Sequence, residues 1–308
     1  MGKTLILNSS NIVNSSNAVF QYNFPQGGFT FKNDIIALES LSMYFSAFNI
    51  TTLYNNNSFS YIWVDGSTWN VPIPNSYLQI TDLNSFFQSY MYGNGHYLTT
   101  TNGNIVYLME LVVNQARYAV QLNNFLISVG IATANSWTIA PTATWVLPTN
   151  PILPYFIVPN NNFGALLGFS PGQYPSSNPN GVITATGANT PPAQIQTPAY
   201  TESQSTLSSV APQITPYSSF LVFCSLVNNK AVIPSQLIYS FTPTNATFGA
   251  LQTYQPTAEL PWNRIVDGQY NSFTIEIRDQ VGNIVQFKDP NSLITLYTKN
   301  MDNSVIEI

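Results

Sequence analysis

The chain has 308 residues, of which 7% are charged, 44% hydrophobic and 14% aromatic, with 8 Lys+Arg against 13 Asp+Glu. Ordinary hydrophobicity with so little charge excludes a disordered chain, and the acidic balance argues against a basic nucleic-acid-binding surface. With Cys224 the single cysteine and His96 the single histidine, a disulfide scaffold and a cysteine- or histidine-rich metal centre are excluded.

No apolar run approaches the roughly 20 residues of a membrane span. Thr4-Leu5-Ile6-Leu7 is too short for the core of a signal peptide. The expectation is a soluble protein, made in a reducing compartment and not exported by the usual route.

Neutral polar, aromatic and β-branched residues, punctuated by Gly, Pro and Asn, predict a β-rich fold. Met1 to Asn17 suits either an ordered β-arm gripping a neighbour or a mobile tail. Asn17 to Phe24 alternates, with Phe20, Tyr22 and Phe24 on one face. The second half of Asp34 to Ile50 reads as a strand, with Leu41, Met43 and Phe45 opposite Ser40, Ser42, Tyr44 and Ser46. Phe59 to Val64 and Thr68 to Ile73 flank Asp65-Gly66-Ser67 as a hairpin. A helix follows, with Thr81 or Asp82 as N-cap. Leu83, Phe86, Phe87, Tyr90 and Met91 form its stripe, and Gly93 is a left-handed stop. Ile105 to Val113 and Tyr118 to Ser128 pair around Asn114-Gln115-Ala116-Arg117.

From Gly130 to Pro216 the texture changes to Pro, Ser, Thr, Asn and Ala. Short apolar runs lie at Trp145 to Leu147, Tyr155 to Val158 and Val182-Ile183. Phe163 to Phe169 suggests a second short helix, and Asn178 to Thr215 extended loops. Strands return at Phe220 to Val227 and Gln236 to Phe241. Ser272 to Arg278 alternates, with Phe273, Ile275 and Ile277 inward. Turns at Asp279 to Asn283 and Asp289 to Ser292 bracket Ile284 to Phe287 and precede the run Leu293 to Tyr297. No repeat of 20 to 50 residues occurs, which disfavours a propeller or solenoid. The pattern predicts a β-sandwich of residues 1–128 and 218–308, with 129–217 inserted between two mid-sandwich strands.

The search for chemistry is largely negative. Glu39 and Glu110 lie in strand-like apolar runs, where a glycosidase pair would be sought; the plainer reading is a sheet-edge or outward acid with a nearby partner. His96 has no evident nucleophile or orienting acid, and reads as hydrogen-bonded to backbone at the helix-to-strand turn. Cys224 reads as a small buried hydrophobe. Gly164-Ala-Leu-Leu-Gly168 lacks the Lys-Ser/Thr of a phosphate loop, and Asp279 to Asn283 has too few carboxylates for calcium. Asn49-Ile-Thr51 and Asn245-Ala-Thr247 are chance glycosylation triplets in an Asn-rich chain. Tyr61, Trp63 and Trp69 either fill the core or, if exposed, form a sugar-stacking platform. No catalytic, metal-binding or cofactor-binding residues are assigned.

Several strings nevertheless carry a family likeness. Asp82-Leu-Asn-Ser-Phe-Phe-Gln88, Asn94-Gly-His-Tyr-Leu98, Asn104-Ile-Val-Tyr-Leu-Met-Glu-Leu111 and Tyr118-Ala-Val-Gln-Leu122 are four. Phe163-Gly-Ala-Leu-Leu-Gly-Phe-Ser-Pro-Gly-Gln-Tyr-Pro175 and Phe220-Leu-Val-Phe-Cys-Ser-Leu-Val-Asn-Asn229 follow. Asn263-Arg264-Ile265, Tyr270-Asn-Ser-Phe-Thr-Ile-Glu-Ile-Arg-Asp-Gln280 and Asp289-Pro-Asn-Ser-Leu-Ile294 complete the series. In this order the chain resembles the minor capsid (penton) proteins of virophages and Polinton-like viruses. The resemblance implies a single jelly roll with an insertion domain and no catalytic residues. It further implies homopentamers at icosahedral five-fold vertices, in contact with trimers of a double jelly-roll major capsid protein. The expected location is the virion, after assembly in the host cytoplasm. No nucleic acid, membrane span or cofactor is expected; a host-surface receptor or glycan is a possible partner of the insertion. The alternative is a jelly-roll, lectin-like binding module on the virion surface.

Overall fold

The computed structural model describes residues 2–176, 203–229, 234–243, 247–256 and 259–302. The chain divides into two compact units, Met1–Phe48 with Tyr217–Ile308, and Asn49–Pro216. The first stretch carries β1 (Lys3–Leu7), β2 (Val19–Asn23), β3 (Phe29–Phe31) and β4 (Asp34–Tyr44). The second unit carries β5 (Ser58–Ile62), β6 (Thr68–Pro72), α1 (Ile80–Gly93), β7 (Leu98–Thr99), β8 (Ile105–Val106), β9 (Met109–Asn114) and β10 (Ala119–Phe125). It continues with α2 (Val129–Ala134), β11 (Thr138–Ile139), β12 (Tyr155–Val158), α3 (Phe163–Leu167), β13 (Gly172–Tyr174) and β14 (Ser203–Leu207). The chain then returns to the first unit with β15 (Phe220–Cys224), β16 (Leu237–Phe241), β17 (Leu251–Tyr254), β18 (Asn263–Arg264), β19 (Gly268–Tyr270), β20 (Ser272–Asp279) and β21 (Ser292–Asn300).

The main strands of the first unit form two antiparallel sheets. One has the order β1-β21-β4-β17, with β18 also on β4; the other has the order β16-β15-β20-β2. Along the chain, β1, β4, β17 and β21 enter one sheet, and β2, β15, β16 and β20 the other. That wrapping is a jelly roll, and the chain as a whole is all-β with three short α-helices among the described residues. The period-2 pattern of β20 accounts for its place: Phe273, Ile275 and Ile277 are buried, while Thr274, Glu276 and Arg278 are half-exposed. Leu41 and Met43 of β4, Ile294 and Leu296 of β21, and Val222 and Cys224 of β15 are buried too. Rings bridge the strands: Phe45 lies 6.4 Å from Phe220, and Phe241 of β16 lies 3.9 Å from Tyr254 of β17. Each such side chain removed from water contributes about 1.5–3 kcal/mol.

The N-terminal stretch is neither a tail nor an arm on a neighbour over Lys3–Leu7. β1 pairs with β21 of its own chain, from Lys3 opposite Thr298 to Leu7 opposite Ile294. The return expected at Ile284 to Phe287 makes two isolated bridges, Arg278 with Ile284 and Ala47 with Phe287, instead of a strand.

The second unit surrounds an aromatic core. Phe59 stacks on Phe156 at 4.6 Å and on Phe163 at 4.9 Å, with Phe87 edge-on at 5.2 Å. Its sheets have the orders β13-β12-β5-β6, β14-β10-β9 and β11-β7-β8. Helix α1 starts earlier than expected, its cap two residues before Thr81 and three before Asp82. Gln79 is the cap, and Asp82 sits in the first turn, where its Oδ2 accepts the Gln79 N–H at 3.1 Å. Leu83, Phe87 and Met91 are buried, with Phe86 and Tyr90 packed beside them. Gly93 is the last helical residue, and the left-handed residue is Gly95 at φ +70°. Helix α3 ends at Leu167 because Gly168 turns left-handed. Helix α2 carried no apolar stripe in the sequence; it starts where Ser128 Oγ accepts the Ile131 N–H at 3.2 Å.

The unit boundary also falls elsewhere than at residue 129. Composition shifts near Gly130, but Phe59, Tyr61, Phe87 and Leu122 share a core with Phe156 and Phe163, so the second unit begins at Asn49. Its other end, Pro216, is one residue from the expected 217. Part of the expected loop, Ser203–Leu207, is β14 on the edge of β10. Residues 178–202 of that loop, with Val182-Ile183, and Asn245 lie outside the described residues.

Candidate functional site

Hairpin β5–β6 forms around its expected turn, in which Asp65 Oδ1 accepts the Ser67 N–H at 2.9 Å and the Ser67 hydroxyl. Alternation then sends Tyr61 and Trp63 into the core, 0% and 1% exposed, while Trp69 stays half-buried. An exposed sugar platform of these three rings is therefore not what the hairpin builds. They enclose His96 instead. Trp63 stacks on the imidazole at 4.6 Å, Trp69 meets it edge-on at 4.8 Å, and Tyr61 Oη lies 2.6 Å from Nδ1. Thus the His96 ring bonds a phenol, not backbone as expected. Burial holds the Tyr61 phenol above its usual range and lowers the His96 pKa to about 4. With both groups neutral, the Tyr61 hydroxyl and His96 Nδ1 share one hydrogen bond, which is a structural role.

The two candidate acids are placed differently. Glu39 is exposed on β4 of the first unit; Glu110 is buried on β9 of the second. Glu110 Oε1 accepts from Asn123 Nδ2 at 2.8 Å. Asn123 Oδ1 accepts from Gln121 Nε2 at 2.8 Å, and Gln121 Oε1 accepts from Asn114 Nδ2 at 3.0 Å. This is a chain of amides ending in one carboxyl. Burial raises the Glu110 pKa to about 7, partly offset by the Asn123 hydrogen bond. Cys224 is fully buried, which pushes its thiol up to about 12 and leaves it a packing residue.

The remaining motifs are structural as well. The glycines of Gly164-Ala-Leu-Leu-Gly168 allow close backbone approach: a Cβ at Gly168 would collide with the Val210 carbonyl, one at Gly164 with that of Phe169. Asp279 spends its oxygens on its own turn, accepting from Val281 N, Asn283 N and Asn283 Nδ2. Asn49 is fully buried: its Nδ2 reaches the carbonyls of Leu78 and Ile214, both at 2.8 Å, and so it is no glycan acceptor. Among the described residues no group of three or more His, Cys, Asp or Glu can hold a metal ion, and no helix is long and apolar enough to cross a membrane. A hollow of about 330 Å³ beside β1 is lined by Lys3, Phe29, Lys32, Asp34 and Asn300, with a single carboxylate.

Surface composition is more informative than any cleft. The sequence from Asn49 to Pro216 holds one base, Arg117, and four acids, Asp65, Asp82, Glu110 and Glu202. Sequence patterning marked Asn114 to Arg117 only as a turn. In the structure the β9–β10 connection is a single 3-10 turn, Gln115–Arg117, closed by Tyr118 in the left-handed region (φ 49°, ψ 50°). Tyr118 is 75% exposed, and Arg117 beside it is exposed as well.

The chain is similar in solved structure to the mavirus penton protein, at 8% identity and a TM-score of 0.42, over 97% of this chain and 96% of that one. It is also similar to a chain in the 3.5 Å cryo-EM structure of the Sputnik virophage, at 9% identity and a TM-score of 0.39, over 99% and 98%. No family model and no curated protein matches the sequence.

Proposed function

We propose that this chain is a structural subunit of a viral capsid, a minor capsid or penton protein that closes the icosahedral five-fold vertex as a homopentamer. In this reading the sandwich packs against trimers of a double jelly-roll major capsid protein, and the inserted unit seals the ring or faces outward. The subunit acts in the virion after assembly in the host cytoplasm, and performs no catalysis. The observation that carries the reading is a jelly roll interrupted by a unit with almost no charge on it. Charges buried at a seam cost free energy unless paired, so a subunit covered by its own copies does best with neutral flanks. A neutral, aromatic flank that meets amide and hydroxyl groups is the composition of a permanent interface. The ordered strings that resemble penton proteins support the same reading. Burial of Tyr61 and Trp63, with Trp69 half-buried against His96, removes the motive for a lectin built on an exposed platform of these rings.

The test is assembly. Native mass spectrometry and negative-stain microscopy of the purified protein at rising concentration are expected to show closed five-membered rings. A chain that stays monomeric up to its solubility limit overturns the reading.

A further inference from the structure

The geometry points to a specific self-contact: we propose that the Arg117-Tyr118 tip of one copy docks on the Asp65-Trp69 turn of the next. The inference rests on the capsid reading and names the surface through which copies meet.

Three observations carry it. First, Tyr118 has a conformation that an L-residue other than Gly, Asn or Asp seldom adopts, at a cost of about 1–2 kcal/mol. Its N–H closes the Gln115–Arg117 turn on the Gln115 carbonyl, but the ring, 75% exposed and without a ring partner among the described residues, gains little packing within the subunit to offset the strain. Strain of this kind persists where it serves contact with something else. Second, Arg117 is the unit's single cation. Its side chain has no acceptor among the described residues, and no described acid of the unit is in salt-bridge range. Arg and Tyr are the side chains that most often carry the energy of an interface. Third, the same unit holds the complement on another hairpin. Of its four acids, Glu202 lies outside the described residues, Glu110 is buried against Asn123, and Asp82 caps α1. Asp65 remains: it is exposed, with Oδ1 engaged by Ser67 and Oδ2 without a partner among the described residues.

Trp69, half-buried beside that turn, offers an indole to a guanidinium or a phenol ring. Tip and turn are different segments of one subunit, and in the capsid reading the contact repeats head-to-tail from copy to copy. Such a contact closes into a ring when the rotation between copies permits it.

The test uses the full chain and three variants. Tyr118→Gly removes the ring and relieves the left-handed strain, so the free subunit keeps or gains thermal stability. Its half-assembly concentration rises about tenfold or more. Arg117→Glu has the same effect on assembly, and adding Asp65→Arg to it restores the wild-type concentration. Wild-type rings together with unimpaired rings of Tyr118→Gly and Arg117→Glu overturn this contact and leave the capsid reading standing. Absence of rings from the wild type overturns both.

Discussion

Glu110 and His96 belong to the same unit, and burial moves their pKa values in opposite directions. Glu110 goes from 4.5 to about 7, so the folded unit holds a proton that the unfolded chain releases. The resulting cost is absent below pH 4.5, grows as pH rises to 7 and is then complete, at about 3 kcal/mol. His96 goes from 6.5 to about 4, so the unfolded chain binds a proton that the folded unit refuses. That cost is absent above pH 6.5 and grows as pH falls to 4, to a similar size. Between these limits the two slopes cancel, and the pair leaves the unit's stability nearly level with pH. Glu110→Gln is expected to unmask a stability that rises from pH 4 to 6.5, with a gain of about 3 kcal/mol at pH 8. His96→Asn, which keeps an acceptor for Tyr61, is expected to leave a stability that falls from pH 4.5 to 7. Chemical denaturation across that range checks both, and a wild-type slope unchanged in either variant contradicts the assignment. The strand patterning around Glu110 favoured a sheet-edge or outward acid, whereas the side chain is buried. The Asn123-Gln121-Asn114 amide chain was not legible, because it needs β9 and β10 set in register.

At the scale of elements, local patterning was read well and long-range pairing was not. The alternation of β20, the stripe of α1 and the turn at Asp65 all depend on near neighbours, and all three appear in the structure. Strand β1 depends on β21 at the other end of the chain, so Lys3–Leu7 alone could not announce its partner. The α1 cap shifted because Gln79 and Asp82 form a reciprocal pair, which a preference for a single Thr or Asp at the cap overlooks. Gly168 supplies a sharper test. It combines a φ of +80° with no room for a Cβ against the Val210 carbonyl. Gly168→Ala is expected to destabilise the second unit by at least about 2 kcal/mol, through left-handed strain plus displaced backbone. A thermal melt within a degree of wild type would show that the contact relaxes freely.

At the scale of the whole molecule, the jelly roll keeps its own closure across the point of interruption. The Tyr217 hydroxyl donates to the Ala47 carbonyl at 2.9 Å, and the Tyr217 ring lies 6.1 Å from Phe45. The two ends left by removing residues 49–216 are therefore neighbours. Replacing that segment with a short Gly-Ser bridge is expected to leave a folded sandwich. Its β-type circular dichroism and cooperative melt check this, and a molten chain would mean that the sandwich borrows its stability from the second unit. Composition alone misplaced the interruption because amino-acid texture changes at Gly130, whereas packing changes at Asn49.

The pairing of the first strand with the last also sets an order of events during synthesis. Residues 49–216 leave the ribosome as one uninterrupted stretch and can collapse while translation continues. β1 to β4 emerge earlier yet must wait, because their partners, among them β21 between β1 and β4, are made only after the second unit. The newborn chain thus holds four orphan strands while the second unit is made, and a translational pause just after Pro216 would prolong that exposed interval.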